Sequence, residues 1–345
     1  MFRLTVTPPA VLLSAALAAC GPGAPTDSSE FAVSLAMTRT WDAISFNPAA
    51  AEFPEGIAID PQGHLYVGLT QWAEIRRVES DGTVRPFAAL LPHDQVPIPP
   101  GAPGLLGLAS TARGDIYAAL VTFNPATHGV HRIDGRTGTS ERLPGSGAIC
   151  WPNALVFDQR GNLYVTESTR VPCGGDPTVG AVWRIPPGGS AEPWAESIAL
   201  AGTGQLPLPA PIGANGIVFR PGDGGPGTLI VANTEQGALV SIPIQPNGSP
   251  GEVATLAQDP MIFTVDGIVL DIHGAIYAMV IGQNRIVKVS RDGTTLEVVA
   301  SGAPLDFPVN AVFGVRGPDR GRLFVANFAL PDFGGTRPGI VIIEP

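Results

Sequence analysis

The segment FPEGIAIDPQGHLYVGL, residues 53–69, returns along the chain in altered form. WPNALVFDQRGNLYVTE starts at Trp151, GANGIVFRPGDGGPGTLIVAN at Gly213, TVDGIVLDIHGAIYAMV at Thr264 and FPVNAVFGVRGPDRGRLFVAN at Phe307. A weaker copy, GLLGLASTARGDIYAAL, starts at Gly104. The six copies lie roughly 45 to 60 residues apart, a period that belongs to blades or solenoid units. Each copy is a short apolar run, a turn rich in Asp, Gly or Asn, and a second apolar run, which reads as two antiparallel strands. Each also continues alike: AEIRRVESDGTVRPFA from Ala73, GAVWRIPPGGSAEPWA from Gly180, NRIVKVSRDGTTLEVVA from Asn284. These are third and fourth strands around a glycine turn. A solenoid would need parallel coils, and the hairpin turns argue against it. The pattern predicts an all-β, six-bladed β-propeller, an architecture that leaves only short, protected sheet edges.

The sixth copy ends after GIVIIEP with three strands. An open edge there invites aggregation. The spare segment FAVSLAMTRTWDAISF, residues 31–46, is expected to supply the missing outer strand, so that the last blade is closed by an N-terminal strand. The propeller is then a single domain over 31–345.

The N-terminus reads as a targeting signal. Arg3 precedes the apolar run AVLLSAALAA, which is too short for a permanent membrane span. LAAC, ending at Cys20, resembles a bacterial lipobox. Residues 1–19 are therefore expected to be a lipoprotein-type signal peptide, with 20–30 a lipidated Cys20 and a flexible tether. The alternative is an ordinary signal peptide with an incidental cysteine. The expected location is the bacterial cell envelope, periplasm or outer surface, with the membrane touched only through the lipid. In an exported protein the remaining pair, Cys150 and Cys173, reads as a disulfide, with two buried thiols as the alternative. A net charge of −10 argues against a nucleic-acid partner, because phosphate binding needs clustered Lys and Arg.

The face where the innermost strands begin is here called the top. Glu55, Asn153, Asn215, Asp266 and Asn310 are each expected at the top start of an innermost strand, with Leu106 in that place in blade 2. Side chains from separate repeats would then converge on the central axis. Unpaired carboxylates there would repel one another and lose solvation. Oxygen-only donors with two negative charges and no His or Cys fit Ca²⁺, or another divalent cation, as ligands. Asn and Asp also cap strands through turn hydrogen bonds, which is the alternative.

PEG at 54–56, PNA at 152–154, ANG at 214–216 and VDG at 265–267 resemble the senescence marker protein/gluconolactonase (regucalcin-like) superfamily, related to paraoxonase and diisopropylfluorophosphatase propellers. The resemblance covers about residues 46–345. It implies that Glu55, Asn153, Asn215 and Asp266 hold a catalytic calcium, that Asn310 is a further ligand or supports one, and that Asp266 is the general base or the nucleophile. It implies hydrolysis of lactones or related esters. Ala154 stands where relatives usually have Gly, and few arginines other than Arg170 are expected near the top to bind a sugar acid.

His93 and His128 fall in top-face segments and could shuttle protons near neutral pH, the alternative being ordinary surface loop residues. His131 is expected to be structural, and His64 and His273 to sit in bottom turns. Pro-rich links at 90–104 and 199–214, with Trp151, Phe263 and Phe307, could build an apolar rim suited to an apolar lactone or ester. The other class of function open to the sequence is a non-catalytic envelope propeller whose ion is structural and whose top face binds a partner.

Overall fold

The structure, a computed structural model, describes residues 39–79, 81–92, 104–331 and 334–345. The expected leader, Cys20, the tether and His93 lie outside the described residues.

Six four-stranded antiparallel sheets form the blades. Blade 1 runs Pro54–Ile59, Leu65–Leu69, Glu74–Val78, Val84–Ala89 from inside outward. Blades 2 to 5 repeat this order from the inner strands Gly104–Ser110, Pro152–Phe157, Ala214–Arg220 and Val265–Leu270. Blade 6 takes Pro308–Phe313, Leu323–Asn327 and Gly339–Glu344 from the C-terminal end of the chain. Its outer strand is Arg39–Ser45, which pairs antiparallel with Gly339–Glu344, so the N-terminal strand closes the ring as expected.

The inner strands pack on one another around the axis, and each junction between neighbouring blades carries its own apolar core. Ile75 and Leu105 lie between blades 1 and 2, Val121 and Leu155 between 2 and 3, Tyr164 and Ile217 between 3 and 4. Ile230 and Ile268 lie between 4 and 5, Met279 and Val325 between 5 and 6. Ile57 with Phe324 and Ile340 seals blade 6 against blade 1. Burial of this kind contributes roughly 1.5–3 kcal/mol per large side chain. Six equivalent junctions make closure the condition for burying any of them fully.

In blades 1, 3 and 5 the first turn is held by a single acidic residue, Asp60, Asp158 or Asp271. Asp60 Oδ1 accepts the backbone N–H of Gln62 and of His64, both at 2.9 Å, and Asp158 Oδ1 does the same for Arg160 and Asn162 at 2.8 and 2.9 Å. His64 is accordingly a bottom-turn residue, its Nδ1 2.8 Å from Asp60 Oδ2, and His273 is exposed in the matching turn of blade 5.

Candidate metal centre

One irregularity recurs at the top of every inner strand. Pairing with the second strand skips between Pro54 and Ile57, Leu105 and Leu108, Pro152 and Leu155, Ala214 and Ile217, and Val265 and Ile268. Such a bulge frees residues from the ladder and re-aims their side chains. Glu55, Leu106, Asn153, Asn215 and Asp266 are the first residues released in their blades. The second is Gly56, Gly107, Ala154, Gly216 or Gly267. A Cβ at Gly56 would lie 2.3 Å from Leu106 O, one at Gly107 2.5 Å from Asn153 O, and one at Gly216 2.5 Å from Asp266 O. The small residue lets the next inner strand come that close and draws the released side chains toward one another.

Blade 6 departs from the expectation for Asn310. In the other blades the residue two before the released one accepts a backbone bond from the second strand: Phe53 O from Thr70 N, Trp151 O from Ser168 N, Gly213 O from Thr234 N, Thr264 O from Ile281 N. The matching bond in blade 6 runs from Phe328 N to Phe307 O. The equivalent of Glu55 is therefore Val309, which is buried in the junction with blade 1. Asn310 sits one place later, where other blades have Gly or Ala, and its Oδ1 accepts its neighbour Ala311 N at 2.9 Å. Asn310 pairs with Ala326 in the ladder and lies against Gly267, one place away from the ring position.

Four polar side chains remain, from blades 1, 3, 4 and 5. Glu55, Asn153 and Asn215 are buried, and Asp266 keeps partial access to solvent although protein surrounds it closely. Burial pushes the Glu55 carboxyl well above the usual range, and the negative charge of Asp266 pushes it further. Burial raises Asp266 to about 7, with the neighbouring Asn215 amide pulling the other way. Oε2 of Glu55 is buried with no hydrogen-bond partner among the described residues.

The two amides are oriented by hydroxyls at matching positions. Asn153 Nδ2 donates to Ser168 Oγ at 2.9 Å, and Asn215 Nδ2 donates to Thr234 Oγ1 at 3.0 Å. Ser168 gives its own proton to Ala214 O at 2.8 Å, so toward Asn153 it can only accept. That fixes which end of the Asn153 amide faces Ser168 and leaves the carbonyl oxygen at the other end. Blade 1 has Thr70 at this position, its hydroxyl buried and without a partner among the described residues. In blade 3, where Ala154 replaces Gly, Thr166 Oγ1 donates to Asn215 O at 2.7 Å and ties the two inner strands. Ser168, Thr234 and Thr166 were not singled out from the sequence; the signal was a hydroxyl residue just after, or late in, the second strand of blades 3 and 4.

This donor set fits a hard divalent cation. It offers two carboxylates and two amide oxygens, one carboxylate oxygen is an orphan, and no Lys or Arg among the described residues acts on either carboxylate.

The disulfide expected from the sequence joins Cys150 to Cys173, with Cα atoms 5.8 Å apart. Beside it the buried carboxylate of Glu167 accepts Cys150 N at 2.7 Å, Arg170 Nε at 2.7 Å and Trp183 Nε1 at 3.1 Å. Arg170 also pairs with Glu196 at 2.5 Å. The top-face arginine considered for a sugar acid is thus engaged on both sides.

His128 is buried rather than a surface loop residue, and both ring nitrogens are committed. Nε2 donates to Ile149 O at 2.8 Å, while Nδ1 accepts Thr122 N and Phe123 N, each at 3.3 Å. Burial lowers its pKa. This geometry argues against the expected proton shuttle, because moving a proton through the ring would break backbone bonds. His131 is structural, with Nε2 2.8 Å from Thr127 O.

The fold and site define a six-bladed propeller with an oxygen-rich, acidic mouth. Residues 125–328 match the family described as SMP-30/Gluconolactonase/LRE-like region, more than half of the chain, and the protein belongs to that family. Residues 46–71, which include Glu55, match the region described as Strictosidine synthase-like, N-terminal. Among solved structures, the chain resembles a gluconolactonase from Xanthomonas campestris at 20% identity, covering 90% of each chain with a TM-score of 0.63. It resembles a calcium-binding protein, regucalcin, from Agrobacterium tumefaciens at 16% identity, covering 87% of this chain and 92% of that one with a TM-score of 0.62. Virginiamycin B lyase from Staphylococcus aureus follows at 16% identity, 84% and 82% coverage and a TM-score of 0.52. At these identities the likeness is one of fold. None of the curated proteins matches the chain in sequence.

Proposed function

We propose that this protein is a metal-dependent hydrolase of lactones or related esters, with Glu55, Asn153, Asn215 and Asp266 holding one divalent cation, Ca²⁺ by its preference for oxygen. The observation that carries the proposal is the pairing of Glu55 with Asp266. Burial raises the proton affinity of both carboxylates, the charge of Asp266 raises that of Glu55 further, and Oε2 of Glu55 has no hydrogen-bond partner among the described residues. Family membership and the fold shared with a gluconolactonase and a calcium-binding regucalcin support the same reading.

When bound, the cation would polarise the scissile carbonyl and stabilise charge developing on its oxygen. The rest falls to the chain. Asn153 presents its carbonyl oxygen because Ser168 holds its NH₂ group, and Thr234 accepts from Nδ2 of Asn215 in the matching place. Glu55, the more enclosed carboxylate, supplies charge and rigidity. Asp266 is the residue for proton transfer: it keeps some solvent access, whereas Glu55 is enclosed. One oxygen must stay free to accept the proton of the attacking water, or to attack directly.

Export as an envelope lipoprotein belongs to the same proposal. The Cys150–Cys173 bridge supports it, since such bridges persist in oxidising compartments. The test is turnover of a lactone panel with calcium and with a chelator. Calcium-dependent hydrolysis that Asp266→Asn abolishes is the expected result. Turnover that ignores both the chelator and the substitution would overturn the proposal.

A further inference from the structure

Phe123 carries a backbone that a bulky residue rarely adopts, with φ at 56°, and yet leaves 40% of its surface exposed. Strain of this kind persists only where the surroundings impose it. Here the surroundings are His128, whose buried Nδ1 accepts the N–H of Thr122 and of Phe123 and whose ring stacks on the Phe123 ring at 5.7 Å between centroids. The other face of the arrangement is Trp151, edge-on to Phe123 at 5.8 Å.

Trp151 is two residues before Asn153, and its segment is held from three sides. Ile149 O accepts His128 Nε2, Cys150 donates to Glu167 and is bridged to Cys173, and Trp151 O accepts the N–H of Ser168, whose hydroxyl holds the Asn153 amide. A half-exposed pair of aromatic rings is thus fixed beside the candidate metal centre, on blades 2 and 3, with no energetic role in the core that would require Phe123 to be exposed and strained. Of the cations on this side, Arg170 is already paired with Glu167 and Glu196, and Arg142 donates to the carbonyls of Pro125 and His128.

We infer that Phe123 and Trp151 form a preorganised wall that selects lactones bearing an apolar alkyl or aryl substituent, with His128 as the positioning residue that holds Phe123 in place. The inference rests on the hydrolase reading for its substrate, and its test separates the two. Ring faces of this kind bury apolar groups with little loss of conformational freedom, because they are rigid before the ligand arrives.

The experiment compares γ-nonalactone with γ-butyrolactone as substrates, and 3-pentylcyclopentanone with cyclopentanone as non-hydrolysable ligands, on the full chain with calcium. Phe123→Gly is the informative variant, because glycine is at ease at this φ and the ring is removed without disturbing the turn. For the wild type, kcat/KM is expected to favour the nonalactone at least tenfold, and calorimetry to give the same preference for the pentyl ketone. Phe123→Gly should cut both ratios about tenfold, and His128→Gln should lower them in the same direction. Ketone discrimination that depends on Phe123 in a protein that hydrolyses no lactone would keep the wall and remove the hydrolase reading. Hydrolysis with ratios that Phe123→Gly leaves unchanged, or no measurable binding of the pentyl ketone, would overturn the wall.

Discussion

Asn153 and Ser168 face each other across the top of blade 3, with Nδ2 of the amide 2.9 Å from a hydroxyl that has already given its proton to Ala214 O. The serine can only accept, so the asparagine must present its NH₂ there and its oxygen elsewhere. Ser168→Ala removes that constraint and lets the amide rotate. Calcium affinity should fall about 10-fold to 100-fold, the usual cost of losing a group that orients a ligand. Calorimetric titration checks it, and the fold should persist because the serine is at a strand end.

Gly216→Ala should be costly. The new Cβ would meet Asp266 O at 2.5 Å, forcing the inner strands of blades 4 and 5 apart. Overpacking of this kind costs about 1–3 kcal/mol. Thermal unfolding should shift down, and calcium affinity should fall with it, because Asp266 moves with its strand. A variant that lost stability but kept its affinity would show that the close approach serves packing alone.

The propeller was legible because its period is written in residues that the blade geometry requires: the Asp of the bottom turn in blades 1, 3 and 5, the apolar pairs of strands, and the polar residue ahead of a Gly or Ala in PEG, PNA, ANG and VDG. Closure by an N-terminal strand followed from counting strands in the last copy. Asn310 stands out in the sequence as the polar residue of the sixth copy, but it is one place past the ring position. Aligning Phe307 and Pro308 with Phe53 and Pro54 puts Val309 under Glu55, and only the bulge register makes that alignment binding. The commitments of His128 were not legible, since a histidine between two turn signals looks like any loop residue until the backbone folds three of its neighbours around the ring. Ser168 and Thr234 were hidden for a different reason. Their role depends on which proton each hydroxyl has left to give.

The disulfide closes a loop with a sequence separation of 23 residues. Chain entropy then predicts a loss of about 3 kcal/mol on reduction. Cys150→Ser with Cys173→Ser should lower the unfolding midpoint accordingly, and should loosen Trp151 and Asn153, which lie within three residues of Cys150. Alkylation of the unreduced native protein should modify neither cysteine.

Without metal, stability should fall as pH rises. Burial raises the folded-state pKa of Asp266 to about 7 and that of Glu55 well above the usual carboxylate range, so above the unfolded carboxylate values the native chain binds more protons than the unfolded one. Their contribution is fully present below the unfolded values and is lost as pH climbs through the folded ones. Melting in chelator at a series of pH values should show that slope, and saturating calcium should remove it at neutral pH and above.

Calcium titration of the full chain, stripped with chelator, tests the account most directly. The expected result is one ion per chain, bound at least tenfold more weakly by Glu55→Gln and by Asp266→Asn, while Asn310→Ala stays near the wild type. Absence of calcium binding to the wild type, or an affinity that both carboxylate variants leave untouched, would contradict the metal centre and everything proposed from it.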